Sequence, residues 1–357
     1  MKKLCIIPII SLLLLMLCSC STSTEIDKLM IVSGLSIDGE DKYQITSQIV
    51  NLQDASQNNL SPILLETEGD TIADAIASLS QLEGQKLYFT HAQTILICSQ
   101  RLKNGEAAHL IDLLNMAPRF RSSIRLAATE GIASEVLKTE PHADPISAFS
   151  IRDSITESYR MLKAPDVPFY VFLNDTLESG IDGILPLLKV DENGDLSLPY
   201  VCGTALFKDT VMVGSITSEE TKYLLLAKEK LSNAVYTTDS HSFLINSGKS
   251  NMKYRDGKIT FDIKMELSLI EGPQKSKKEL EEIVKNDIEQ GLKSLTDKLK
   301  SLGCDPIGMG RCIKRSNPAY WAKIYPDKRE QIYSVLPIET NVKVSMIPSP
   351  KLAGKDN

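Results

Sequence analysis

The sequence predicts an α+β fold: a multidomain protein of mixed α/β domains, its C-terminal domain an antiparallel sheet packed with a long amphipathic helix. Three observations predict it. Strand-patterned and helix-patterned segments alternate through the first 140 residues. Six prolines, Pro141, Pro145, Pro165, Pro168, Pro186 and Pro199, then mark a connecting region between 140 and 200. Beyond it, strand-like segments flank one long apolar stripe of helical period.

The elements follow in order. "LMIVSGLSID" (29–38) and "YQITSQIV" (43–50) read as strands joined by Gly39-Glu40-Asp41. After a polar loop, "NLQDASQNNLSP", Asp70 is the expected cap of a helix with Ile72, Ile76, Leu79 and Leu82 on one face. "KLYFTHAQTILICS" (86–99) reads as a strand pair or one long strand, "GEAAHLIDLLNMA" as a helix stopped near Pro118, and "SIRLAATEG" as a strand. A helix is expected from Pro145 to about Leu162, with proline in its first turn. "YVCGTALFKDTVMVGSI" is a hairpin turning at Lys208-Asp209-Thr210. Thr217 and Glu220 form a capping box for a helix expected to hold Leu224, Leu225 and Leu231. Three strand-like segments follow, with a helix from about 277 to 302 between the last two. Ser276 and Glu279 box its start, Leu280, Ile283, Val284, Ile288, Leu292, Leu295, Leu299 and Leu302 form its stripe, and Gly303 stops it.

The chain of 357 residues is 42% hydrophobic and 24% charged, long enough for two or three domains with real cores. A net charge of −6 without a long Lys/Arg run argues against a nucleic-acid partner. Met1-Lys2-Lys3 precedes an apolar stretch from Leu4 to Leu17 that contains Pro8. A membrane-crossing helix needs about 20 apolar residues, so this stretch reads as an export signal. Bacterial lipoproteins place a cysteine directly after the cleavage site, with Leu at −3 and small residues behind it. Leu17-Cys18-Ser19 before Cys20 fits that pattern, whereas Leu15-Met16-Leu17 before Cys18 does not. Cys20 is therefore the expected lipidated residue, and more than one acyl chain gives stable anchoring. The organisation expected is a signal peptide over 1–19, a lipid anchor and tether over 20–28, an N-terminal mixed α/β region over 29–195 with a sub-boundary near 140, and a C-terminal α+β domain over 200–350.

Four further cysteines lie in the body. Cys98 and Cys202 read as buried thiols. Cys304 and Cys312 flank "DPIGMGR" closely enough to bridge if the segment turns back, but spacing does not set disulfide geometry, and both states stay open. No Cys/His spacing suits a metal. His91, in a strand-like context, His109, His142 and His241 are scattered. Neither a nucleophile elbow, a zincin motif nor a phosphate loop is present, so neither an enzyme nor a cofactor is indicated. Arg119 and Arg121 in "PRFRSSIRL" are candidates for facing an anionic partner, although loops before strands commonly carry such charges.

Ordered blocks carry a resemblance. "EIDKLMIVSGLSIDG", "LYFTHAQTILI", "IRLAATEGIASEVL", "CGTALFKDTVMVGSITSEETKYLLL" and "DPIGMGRCIKRSNPAYWAKI" resemble, along nearly the whole chain, the C-subunit lipoproteins of spore-germination nutrient receptors, the Ger(x)C family. In the last block Asp305, Gly308, Gly310, Pro318 and Trp321 match the family pattern. The chain departs from it after the lipid cysteine, where Ser-Thr-Ser-Thr replaces the usual Trp-Asp and basic residues. The resemblance implies an elongated chain of mixed α/β domains, and a non-enzymatic, lipid-anchored subunit on the outer face of the spore inner membrane. It would work with an A subunit and a permease-like B subunit in responding to nutrients. The alternatives are a solute-binding lipoprotein of a transporter, which needs a ligand cleft between domains, and a cell-wall hydrolase, which needs a convergent acid/base pair.

Overall fold

The computed structural model describes residues 29–50, 62–84, 86–116, 120–141, 144–191, 198–325 and 333–347. Cys20, Arg119, Pro118 and His142 lie outside these residues, as do the leader and tether.

Among the described residues nine strands form the first sheet: β1 (Leu29–Asp38), β2 (Tyr43–Val50), β3 (Pro62–Gly69), β4 (Lys86–Tyr88), β5 (Thr94–Cys98), β6 (Arg125–Thr129), β7 (Ile184–Asp191), β8 (Leu198–Lys208) and β9 (Val211–Thr217). Their order is β3-β2-β1-β5-β6-β7-β8-β9, with β4 beside β1. The central pairs β1–β5, β5–β6 and β6–β7 are parallel, and the outer pairs are antiparallel. Every residue of "TILIC" in β5 is buried, as befits a parallel strand covered on both faces. Its side chains divide by the two-residue period: Ile95 and Ile97 join one apolar cluster, Leu96 and Cys98 another. In the first cluster they meet α1 (Ile72–Glu83) and α3 (Ala107–Met116); in the second, α4 (Ala133–Leu137) and α5 (Ser147–Arg160). Short helices α2 (Ser99–Lys103) and α6 (Phe169–Leu177) complete this part.

Local physics corrects several expectations. Thr71, not Asp70, caps α1: its hydroxyl accepts from Asp74 N at 3.0 Å, while Asp70 N donates to the Asp74 carboxylate. The 86–99 stretch is two separate strands, both parallel to β1 and not paired with each other. His91 falls in the turn between them and is exposed. Two strands of this sheet were not expected. β3 follows the polar loop, and β7 contains Pro186, a residue that usually argues against an interior strand. Pro186 is tolerated because β7 joins β6 only through Leu187 and Leu188, one residue further on. β7 pairs β8, so strands on both sides of residues 192–197 belong to the first sheet.

β10 (Lys230–Leu231), β11 (Ala234–Thr237), β12 (Ser242–Arg255), β13 (Lys258–Glu271) and β14 (Ile338–Met346) form the second sheet, ordered β10-β12-β13-β14 with β11 also on β12. β12 and β13 make a long hairpin turning at Asp256-Gly257. β14 is parallel to β13, so this sheet is antiparallel except at that edge. The reason is the crossover. Helix α8 (Lys277–Leu302) carries the chain back along the sheet before β14 begins. Both capping boxes form, Thr217/Glu220 at α7 (Ser218–Lys228) and Ser276/Glu279 at α8, and Gly303 ends α8 at φ 66. Leu231 lies past the end of α7, in β10. Helices α9 (Met309–Ser316) and α10 (Pro318–Ile324) precede β14.

One apolar cluster runs through both sheets, from Val32 and Ile95 to Phe261, Leu292 and Trp321. Helix α7 lies between the sheets, with Leu224, Leu225 and Leu226 all buried.

Candidate functional site

A dense polar constellation forms at the contact between the β7 approach and the segment after α8. Asp305 is fully buried. Its Oδ1 accepts from the backbone N–H of Gly308 and Met309, both at 2.9 Å, and its Oδ2 from Gly310 at 2.8 Å. These are orphan donors at the start of α9, so the carboxylate caps that helix. Asp182, also buried, accepts from Asp305 N at 2.6 Å, and Asp182 N donates to the Asp305 carbonyl at 3.0 Å. Burial pushes the Asp305 carboxyl up to about 6, against the backbone donors and with the neighbouring Asp182 charge adding to the rise.

Close backbone contact seals the joint. Arg311 N donates to the Gly180 carbonyl at 2.7 Å. Gly180 has φ +95, and a side-chain carbon there would meet Arg311 N and Gly310 C at 2.6 Å. At Gly310 it would meet the Tyr333 hydroxyl at 2.0 Å. Around the rim, Lys228 Nζ bonds Asp175 at 2.7 Å and the Pro306 carbonyl at 3.1 Å, Arg311 pairs with Glu178 at 3.3 Å, and Lys314 donates to Ser179 at 3.0 Å. The two aspartates are thus occupied by backbone groups and closed off from solvent. Their chemistry is that of a latch.

The other residues singled out from sequence are not drawn to this joint. Cys312 Sγ donates to the Met252 carbonyl at 3.5 Å, and no disulfide joins it to Cys304, which is buried beside Asp305. Burial raises the Cys312 thiol above its ordinary value, which makes it a poor nucleophile. Arg121 is exposed in the turn before β6, where its carbonyl accepts from Ile124 N at 3.1 Å. Of the block's described arginines, Arg125 has a built partner: its Nη2 lies 3.1 Å from Asp166 Oδ2. His241 is buried between Ser240 Oγ at 2.7 Å and the Pro273 carbonyl at 3.1 Å. His109 Nδ1 meets the Tyr43 hydroxyl at 2.7 Å on the wall of a mainly apolar recess of about 420 Å³, lined also by Ile72 and Leu113. Tyr43 lies under the buried Arg101 guanidinium, 4.0 Å from the ring centre, and burial pushes its hydroxyl up to about 12. Among the described residues no cluster of His, Cys, Asp and Glu is arranged to hold a metal ion, and no helix is long and apolar enough to cross a membrane.

Sequence reasoning picked out Asp305 only as part of a matching block and missed Asp182. The signal available was the Asp-Pro-x-Gly-x-Gly spacing of 305–310, in which a carboxylate precedes flexible backbone N–H groups.

Comparison with known proteins places this architecture. Residues 22–190 match the family model described as the spore germination protein N-terminal domain, and residues 202–349 match the spore germination B3/GerAC-like C-terminal model. The chain belongs to the Ger(x)C family. The family's Bacillus subtilis (strain 168) relatives are distant but collinear with it. YfkR is 21% identical over 376 residues, covering 94% of this chain and 95% of that one. Spore germination protein KC is 20% identical over 392 residues, covering 96% and 95%. The crystal structure of the GerBC protein superposes with a TM-score of 0.55 at 20% identity, over 88% of this chain and 97% of that one, and shares its mixed α/β fold. As a Ger(x)C protein the chain is a germinant-receptor subunit acting in spore germination.

Proposed function

We propose that this subunit is non-enzymatic and lipid-anchored through Cys20 on the outer face of the spore inner membrane. There it acts through protein–protein contacts with the receptor's A and B subunits when nutrients trigger germination. The observation that carries the reading is the collinear match of both halves of the chain to spore germination families. The Leu17-Cys18-Ser19-Cys20 sequence supports the anchor. Exposed Arg121 and the outer strand edges of the sheets are the proposed contact surfaces, with Arg119 two positions before Arg121 in sequence. The sealed Gly180–Gly310 contact supports this reading over a solute-binding lipoprotein, which needs halves that open around a ligand.

Two measurements test it. Metabolic labelling with a fatty acid should mark the wild-type chain and leave Cys20→Ala unlabelled; persistent label would move the anchor to another residue. Deleting the gene, in a strain without a second copy, should impair germination by nutrients while germination by calcium dipicolinate proceeds. Unchanged nutrient germination would contradict the receptor role.

A further inference from the structure

A row of lysines crosses the outer face of the second sheet. The strand register sets Lys249 of β12 opposite Lys264 of β13, and Lys264 beside Lys343 of β14. All three side chains are exposed. Neighbouring strands lie about 4.8 Å apart, so the three backbones fall within roughly 10 Å. Like charges placed directly opposite on adjacent strands repel, and an exposed sheet face accepts many uncharged polar residues in their place.

The row borders a cleft of about 650 Å³, which Lys253 and Lys285 also line. The cleft's two acids do not neutralise it. Asp262 is engaged by Lys253 at 2.6 Å and by Asn341 at 3.0 Å, and these contacts together with nearby Lys264 hold its carboxyl below the usual range. Glu289 stands on the α8 wall, and Glu266 lies in the next row of β13. Lys285 pairs with Glu282 at 3.8 Å. Among the described residues no ion pair joins Lys249, Lys264 or Lys343 to an acid. The cleft therefore carries concentrated positive charge that the fold itself does not use.

We propose that this cleft binds a phosphate-bearing polyanion, one with two or more negative charges spread over roughly 10 Å. Ammonium groups on flexible stems suit phosphate oxygens as point charges. The lining holds neither an arginine fork nor an aromatic platform, which disfavours a nucleic-acid strand. Its size is that of a small-molecule or headgroup site. The inference is independent of the receptor assignment.

Calorimetry of the purified full chain with tripolyphosphate should show saturable binding that weakens as salt is raised. Binding should fall about ten-fold or more in K264Q/K343Q, because the loss of two charges acts on a partly desolvated anion. It should hold in K103Q/K163Q, which removes the same charge from exposed sites elsewhere. Co-sedimentation with vesicles of phosphatidylcholine alone, or mixed with phosphatidylglycerol, separates the sources. Extra binding to the mixed vesicles that tripolyphosphate displaces supports the site and assigns it to a lipid headgroup. Tripolyphosphate binding without that increment supports it and assigns it to a soluble phosphate ester. Absence of both, or equal losses in the two double variants, overturns the proposal. The melting temperature of K264Q/K343Q should equal or exceed that of the wild type, because the change relieves repulsion. A clear drop would assign the lysines a structural role and overturn it as well.

Discussion

Asp305 is where one side chain carries the most structure. Removing its carboxylate leaves three buried N–H donors at the start of α9 without their acceptor. At roughly 1 kcal/mol for each lost bond, Asp305→Ala should destabilise the chain by about 3 kcal/mol, measured by urea unfolding. The pH dependence follows from the same group. Its folded-state pKa, about 6, lies above the ordinary 3.8, so between these values the native state binds more protons than the unfolded one. Stability should therefore fall as pH rises through that window, by up to about 3 kcal/mol for a shift of this size. Asp38 and Glu229, also raised mainly by burial, add to the fall, while Glu220, lowered by Lys298 and Thr217, opposes it. Asp305→Asn should flatten the slope, and an unchanged slope would locate the effect in the other carboxylates. Little of this is legible in the sequence. The sequence shows a carboxylate before a flexible turn, but its partner Asp182 lies 123 residues earlier, and only the folded chain brings the two together.

Among the elements, α8 was the most legible and also holds a surprise. Its apolar stripe, capping box and glycine stop all lie within one continuous stretch, so local periodicity and cap chemistry suffice to find it. Nothing in that stretch shows that Gly291 faces the Tyr223 ring of α7. A side-chain carbon at Gly291 would sit 2.0 Å from Tyr223 Cζ. The ring is held in place by its hydroxyl bond to Asp287 at 3.0 Å, and Asp287 also accepts from Tyr236. Helix propensity alone would make Gly291→Ala stabilising by about 1 kcal/mol. The contact reverses the sign, and a loss of about 1–3 kcal/mol is expected from overpacking. A gain on thermal unfolding would show that the two helices separate more easily than the geometry implies. The elements that escaped sequence reading share one cause. β3, β7, β10, β11 and the short helices are defined by their neighbours: β7 contains a proline, β10 and β11 have only two and four residues, and α2 and α4 five each, too few to show a period.

For the whole molecule, the two sheets are joined by a continuous apolar cluster, by α7 between them and by the Asp182–Asp305 latch. A chain built this way presents a fixed arrangement of surfaces, as the proposed contact role requires. The family was legible because its blocks keep their order along the chain; the joint was not, because its residues come from distant blocks. The receptor account is tested most directly by affinity capture of this chain from spore inner membranes. The account predicts that receptor A and B subunits co-purify with it in comparable amounts. Capture of the intact, lipidated chain without either subunit would contradict it.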